Sequence, residues 1–170
     1  MSEKVTVSAK VSKELLKEAK ERKIDISSTI RKMLVKPYWE PTVDYLEECN
    51  KEESIFIVAE YVDENGSRKE ILGMAIMWVH GWNNTGYLVE MAVATEHKRE
   101  GIGKKLMDEL REFAINHHLR AIIVETQPAN RDAMDFYLAI GFRLCGFNDR
   151  YYTNSPSTSK DIAIFFSLDL

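Results

Sequence analysis

Cysteine is nearly missing from this chain: two residues, Cys49 and Cys145, among 170. That excludes a disulfide-stapled secreted framework, and neither thiol sits in a metal-ligand spacing. Proline is also scarce, at four, and two of these fall close together at Pro37 and Pro41. No apolar run approaches the ~20 residues needed to cross a bilayer. The opening MSEKVTVSAK lacks the apolar centre of a secretory leader. No internal repeat is visible, and the one biased stretch is the polar TNSPSTSK at 153–160. A cytoplasmic protein with reduced thiols and no metal is expected.

Apolar residues are plentiful, at 45% with 29% charged, enough for the core of one ordinary domain. The net charge of −4 conceals an uneven distribution. Residues 1–36 hold ten Lys or Arg against five Asp or Glu, a surplus of +5, so residues 37–170 carry −9. Such a split suggests two parts meeting different partners.

The first part alternates from Lys4 to Val11, with Val5, Val7, Ala9 and Val11 on one face of a predicted strand. Ser12 is placed to cap a helix reaching Lys23, and Ser27 or Ser28 a second one stopped before Pro37. Strand, helix, turn and helix in a basic segment resemble the ribbon-helix-helix modules of antitoxins and small repressors. That resemblance implies a homodimer touching DNA through residues 4–10, with Lys4, Thr6, Ser8 and Lys10 outward. The same pattern equally serves as the opening strand and helices of a larger α+β fold.

Beyond Pro37 a short helix is predicted over Thr42–Cys49. SIFIVAEYV and ILGMAIMWVH then read as strands joined by a turn at Asn65-Gly66. Tyr38, Trp39, Tyr45, Trp78 and Trp82 are candidates for an acceptor pocket, with hairpin and core packing the plainer reading. The stretch Tyr87–Leu110 organises the rest. Leu88, Val89, Met91 and Val93 predict a strand buried on both faces, with Glu90 an unexpected charge inside it. After HKREGIG, the apolar steps Ile102, Leu106, Leu110, Phe113 and Ala114 mark one face of a helix. Gly101 and Gly103 permit close backbone approach, and Lys98, Arg99, Lys104 and Lys105 supply positive charge. A turn of that kind at a helix start suits a phosphate or pyrophosphate. A dinucleotide fingerprint fails because residue 106 is Leu, and the spacing of a Walker loop is absent.

AIIVETQ predicts a further buried strand, DAMDFYLAIGF a helix closed by a left-handed Gly141, and RLCGFNDRYY with DIAIFFSLDL a final antiparallel pair. KREGIG between strand and helix resembles the [QR]xxGxG motif of the GNAT superfamily of N-acetyltransferases, with Lys98 in place of its usual Gln or Arg. Asn130, Ala133, Tyr137, Gly141 and Phe142 fill that superfamily's second pattern, N-x-x-A-x-x-x-Y-x-x-x-G-F. Over about residues 55–170, GWNNTGYLVEMAV and ETQPANRDAMDFYLAIGFRLCGF are similar to the streptothricin acetyltransferases.

The resemblance implies an α+β GNAT fold: a mostly antiparallel mixed sheet with a splayed central strand pair and flanking helices. It implies a GNAT domain over 37–170, preceded by a 1–36 segment that either completes this fold or is a DNA-binding module. The activity implied is transfer of acetyl from acetyl-CoA to a primary amine on a small molecule or protein. The alternative is a DNA-binding, antitoxin-like regulator fused to a GNAT domain. Cofactor contacts are then expected at Met91, Ala92, Val93, Lys98, Arg99, Glu100, Gly101, Ile102, Gly103, Lys104, Asn130 and Tyr137, with the amides near Ala92 and Val93 holding the thioester carbonyl. Tyr137 is expected as general acid. Glu90 is the first candidate for the base and Glu125 the second, a structural or acceptor-binding carboxylate being the competing reading. His80, His97, His117 and His118 are expected at the surface, and Cys145 is not expected to carry acyl groups.

Overall fold

The computed structural model describes residues 4–11, 54–62, 68–152 and 162–170. Seven strands make one sheet: β1 (Lys4–Val11), β2 (Ser54–Val62), β3 (Arg68–His80), β4 (Thr85–Val93), β5 (Ala121–Thr126), β6 (Arg143–Asn148) and β7 (Ala163–Asp169). Their spatial order is β1-β2-β3-β4-β5-β7-β6. All neighbours are antiparallel except β4 and β5. The described helices are α1 (Ile102–Asn116) and α2 (Arg131–Ala139), with a 3-10 turn at Thr95–His97. None of them is long and apolar enough to cross a membrane. The helices expected across 12–36 and 42–49, and the Asn65-Gly66 turn, lie outside the described residues.

Strand β1 pairs with β2 along its whole length, from Lys4 opposite Val62 to Val11 opposite Ile55. It is thus an edge strand of this sheet, and nothing among the described residues supports its expected part in a DNA-binding ribbon.

Helix α1 forms where its apolar steps meet the sheet. Ile102, Leu106, Met107, Leu110 and Ala114 are buried, in one cluster with Ile55, Ile57, Ala75, Met77, Leu88, Ile122 and Val124. Each such fully buried aliphatic side chain contributes roughly 1.5–3 kcal/mol. The helix lies close because β3 carries Gly73 beneath it: a Cβ there would stand 3.2 Å from both Ile102 Cγ2 and Leu106 Cδ1. Helix α2 opens on Asn130, whose side-chain oxygen accepts from the Ala133 amide at 3.4 Å. It stops as expected at Gly141, with φ +101°, where the Phe142 amide closes back on the Tyr137 carbonyl at 2.9 Å.

Two strand readings need correction. Of the apolar residues in β4 only Leu88 and Ala92 are buried, while Val89, Met91 and Val93 are half-buried. The strand loses its neighbour part-way along and so cannot be covered on both faces. RLCGFNDRYY is strand only to Asn148. The Asn148 side chain accepts from the Arg150 amide at 2.9 Å, a local turn that sends Tyr151 and Tyr152 back toward the middle of the sheet.

Candidate active site

The site begins with one extra residue in β4. Leu88 pairs with Met77 and Glu90 with Ile76, so Val89 has no opposite number on β3. This is a β-bulge, and it reverses the alternation beyond it. Leu88 faces α1; without the bulge Glu90 would share that face and bury a carboxylate in the core. With it, Tyr87 and Glu90 both lie on the face away from α1, while Met91 and Val93 pack toward the core cluster. Glu125 reaches the same outer face from β5, because Ile122 and Val124 on either side of Ile123 point into the cluster.

Strands β4 and β5 are paired over four positions only, from Thr85 opposite Ala121 to Leu88 opposite Val124. Past these positions they part, which is the splay expected from the sequence resemblance. The backbone of β4 in the gap is oriented by its ladder with β3. The Ala94 amide donates to the Leu72 carbonyl at 2.8 Å, so Leu72–Ala94 and Met74–Ala92 are hydrogen-bonded pairs and Gly73–Val93 is not. The Ala92 amide therefore points to β3, whereas those of Met91 and Val93 point into the gap. Glu90 accepts a hydrogen bond from the Met91 amide. Val93 is left as the backbone donor facing the opening.

On the α1 side of the gap the chain forms an anion cradle. Lys98 is extended (φ −64°, ψ 147°), Arg99 has φ +71° and Gly101 φ +80°. Alternation of this kind turns successive amides toward one point. Holding Arg99, a non-glycine residue, in the left-handed region costs roughly 1–2 kcal/mol. Helix α1 starts with no side-chain cap and no acidic residue in its first turn, leaving its positive end for an anion. Glu100 is turned aside to His97, with Nδ1–Oε2 at 3.2 Å. A Cβ on Gly103 would stand 3.2 Å from Met91 Cε and 3.4 Å from the Phe136 ring, so its missing side chain keeps the cradle connected to the gap. These features fit a pyrophosphate with a narrow arm behind it, as in coenzyme A. Lys98, Arg99 and Lys104 are exposed around it, with Ile102 buried beneath.

Tyr137 is 8% exposed and stands among Phe136, Phe142 and Phe166 at centroid distances of 5.6, 5.5 and 6.4 Å. Burial, then the charges of Glu90 and Glu125, hold its phenol protonated well above the usual range. Both carboxylates act on it across the parting of β4 and β5, which brings together the three residues the sequence offered for chemistry. Burial raises Glu90 from 4.5 to about 7, only partly offset by the Met91 amide. Burial also raises Glu125, against a lowering by the hydrogen bond from the Tyr152 hydroxyl to its Oε1.

Sequence reasoning missed the aromatic rim. The Tyr87 and Tyr151 hydroxyls are 3.1 Å apart. Tyr151 meets Tyr152 and Phe165 edge-on, each at 5.4 Å. Tyr87 stacks on His80 at 5.6 Å. Of the aromatics proposed for a pocket, Trp82 is 86% exposed in the β3–β4 turn, while Tyr38, Trp39 and Tyr45 lie outside the described residues. Asn130 is exposed, its oxygen committed to capping α2. His117 and His118 sit at the exposed end of α1, and Cys145 is exposed on β6.

A family model described as the acetyltransferase (GNAT) family matches residues 13–142, beginning inside the basic N-terminal segment. Streptothricin acetyltransferase A of Bacillus subtilis (strain 168) is 32% identical over 85 residues, 50% of this chain and 49% of that protein. The chain thus matches about half the length of this relative. A streptothricin acetyltransferase-type protein of Bacillus anthracis str. Ames, solved in complex with acetyl coenzyme A, is similar at TM-score 0.60 and 28% identity, over 69% of this chain and 63% of that one. Ard1 from Thermoplasma volcanium shares the fold at TM-score 0.72 and 20% identity, over 98% and 97% of the two chains.

Proposed function

Since this chain belongs to the acetyltransferase (GNAT) family, we propose that it transfers acetyl from acetyl-CoA directly to a primary amine, the two substrates meeting in the gap between β4 and β5. The observation that carries this reading is the gap itself. An anion cradle opens on its α1 side, and a carboxylate raised to about 7 stands on the other.

Bound acetyl-CoA supplies the activated acyl group: the amine nitrogen bonds to the thioester carbon, the carbon–sulfur bond breaks, and an amide and a free thiol result. Positioning the partners in line is a large part of the rate. The amides around Arg99 and Gly101 and the positive end of α1 bind the pyrophosphate. The Val93 amide points to where the carbonyl oxygen gathers negative charge and donates to it. Glu90 takes the proton from the amine; a base near neutral pH is suited to that. Tyr137, kept a phenol by its surroundings, gives its proton to the departing sulfur as general acid, and the proton taken by Glu90 passes through solvent to restore the phenol. A chain with only two cysteines agrees with a cytoplasmic setting.

Calorimetry with acetyl-CoA, followed by release of free coenzyme A on adding amines, tests the reading. Saturable binding that Gly101→Glu abolishes is expected. Absence of binding by the intact chain would overturn it.

A further inference from the structure

One amine acylation needs one base, yet the outer face of the gap presents two carboxylates, Glu90 on β4 and Glu125 on β5. Among the described residues neither is in an ion pair; the pairs present are His97–Glu100, Arg131–Asp135 and Arg143–Asp169. Two half-buried carboxylates without a cation are costly, and their charges already act on Tyr137. The surroundings of the two differ. Glu90 has the Met91 amide and no side-chain partner among the described residues. Glu125 accepts from the Tyr152 hydroxyl through Oε1, which offsets part of the rise that burial imposes and leaves Oε2 able to accept from a ligand. Around it stand Tyr87, Tyr151 and Tyr152. They are held together by the Tyr87–Tyr151 hydroxyl contact at 3.1 Å and by the edge-on packing of Tyr151 against Tyr152 and Phe165. Phenol faces beside a carboxylate make a site for an ammonium or guanidinium group, whose charge would itself favour the ionised carboxylate.

The geometry points to a second cation subsite at Glu125, clasped by Tyr152 and rimmed by Tyr87 and Tyr151, so that the preferred acceptor carries a positive charge besides the amine that is acylated. This rests on the acetyl-transfer reading and deepens it. Glu90 serves the reacting nitrogen and Glu125 anchors the other charge. An acceptor with a single amine fills only one of the two positions.

The test compares pentylamine with its diamine counterpart, cadaverine, by release of free coenzyme A from the full chain. After halving for its two equivalent amines, cadaverine is expected to exceed pentylamine in kcat/KM by roughly ten- to a hundredfold, the worth of a charged hydrogen bond. Glu125→Gln should bring that ratio close to one, mainly through the KM for cadaverine. Tyr152→Phe should reduce it partway, and it carries the test should Glu125→Gln not fold. Glu90→Gln should slow both amines and preserve the ratio. Equal use of the two amines by the wild type, or an unchanged ratio in both Glu125→Gln and Tyr152→Phe, overturns the subsite and leaves acetyl transfer standing. Coenzyme A release with neither amine while acetyl-CoA still binds overturns the subsite alone, and loss of acetyl-CoA binding overturns the acetyl-transfer reading.

Discussion

Replacing Glu90 with Gln should stabilise this protein and disable it, with the gain in stability appearing only over a defined pH range. Burial raises the Glu90 carboxyl from 4.5 to about 7, so the folded state binds this proton more tightly than the unfolded chain does. Below about pH 4.5 both states hold it, and the residue imposes no penalty. As pH rises, the unfolded chain releases its proton first and stability falls, until the loss is complete above about 7. At about 1.36 kcal/mol per tenfold change, the full loss is roughly 3 kcal/mol, and roughly 2–3 once some water is allowed to reach the half-buried group. Gln, neutral throughout, escapes it. Urea unfolding of both proteins between pH 4.5 and 8.5 should therefore show curves that diverge by that amount. The corresponding gap in Tm is about 4–12 °C for a chain of this size. Glu125 titrates in the same direction in both proteins, so the difference between them isolates Glu90. Activity should move oppositely. Wild-type kcat/KM should rise with pH through about 7 as the base ionises, and the variant should lose roughly a hundred- to ten-thousandfold. Stability curves that run parallel would refute the buried-carboxylate argument, whatever the activity does.

Tyr137→Phe keeps the ring that packs on Phe142 and Phe166. It should lower kcat by roughly a hundredfold and leave acetyl-CoA affinity, read by calorimetry, within about twofold. Gly103→Val drives a side chain at Met91 and Phe136, so acetyl-CoA binding should weaken at least about tenfold while circular dichroism shows the fold retained; unchanged affinity would remove Gly103 from the cradle. Asn130→Ala removes the 3.4 Å cap of α2 and should cost about 0.5–1 kcal/mol in urea unfolding, the low end for so long a bond.

What could be read along the chain was what repeats locally. The seven strand segments, the apolar stripe of α1 and the stop at Gly141 all declare themselves within a dozen residues. Gly101 of the cradle does so as well, because its positive φ is a local demand. Glu90 was legible only as an oddity. Its escape from the core depends on Val89 having no partner, which is a property of the register with β3. The tyrosine rim gave no signal either. Tyr87 and Tyr151 are 64 positions apart, and they meet because the turn at Asn148 brings the chain after β6 back across β7 and β5. Ala92 was assigned to the gap for want of knowing which amides the ladder already uses.

The four-position seam between β4 and β5 also has a mechanical consequence. The sheet is two leaves, β1 to β4 and β5-β7-β6, stitched along a short parallel edge, with α1 packed across both. Its stiffness is lowest where the substrates are to meet, because the missing rungs leave the leaves without mutual support there. A ligand lying in that opening and hydrogen-bonding to the Val93 backbone replaces rungs the protein omits. It should then slow amide exchange along both flanking strands as well as at the residues it touches, acting as a temporary extra strand in the sheet.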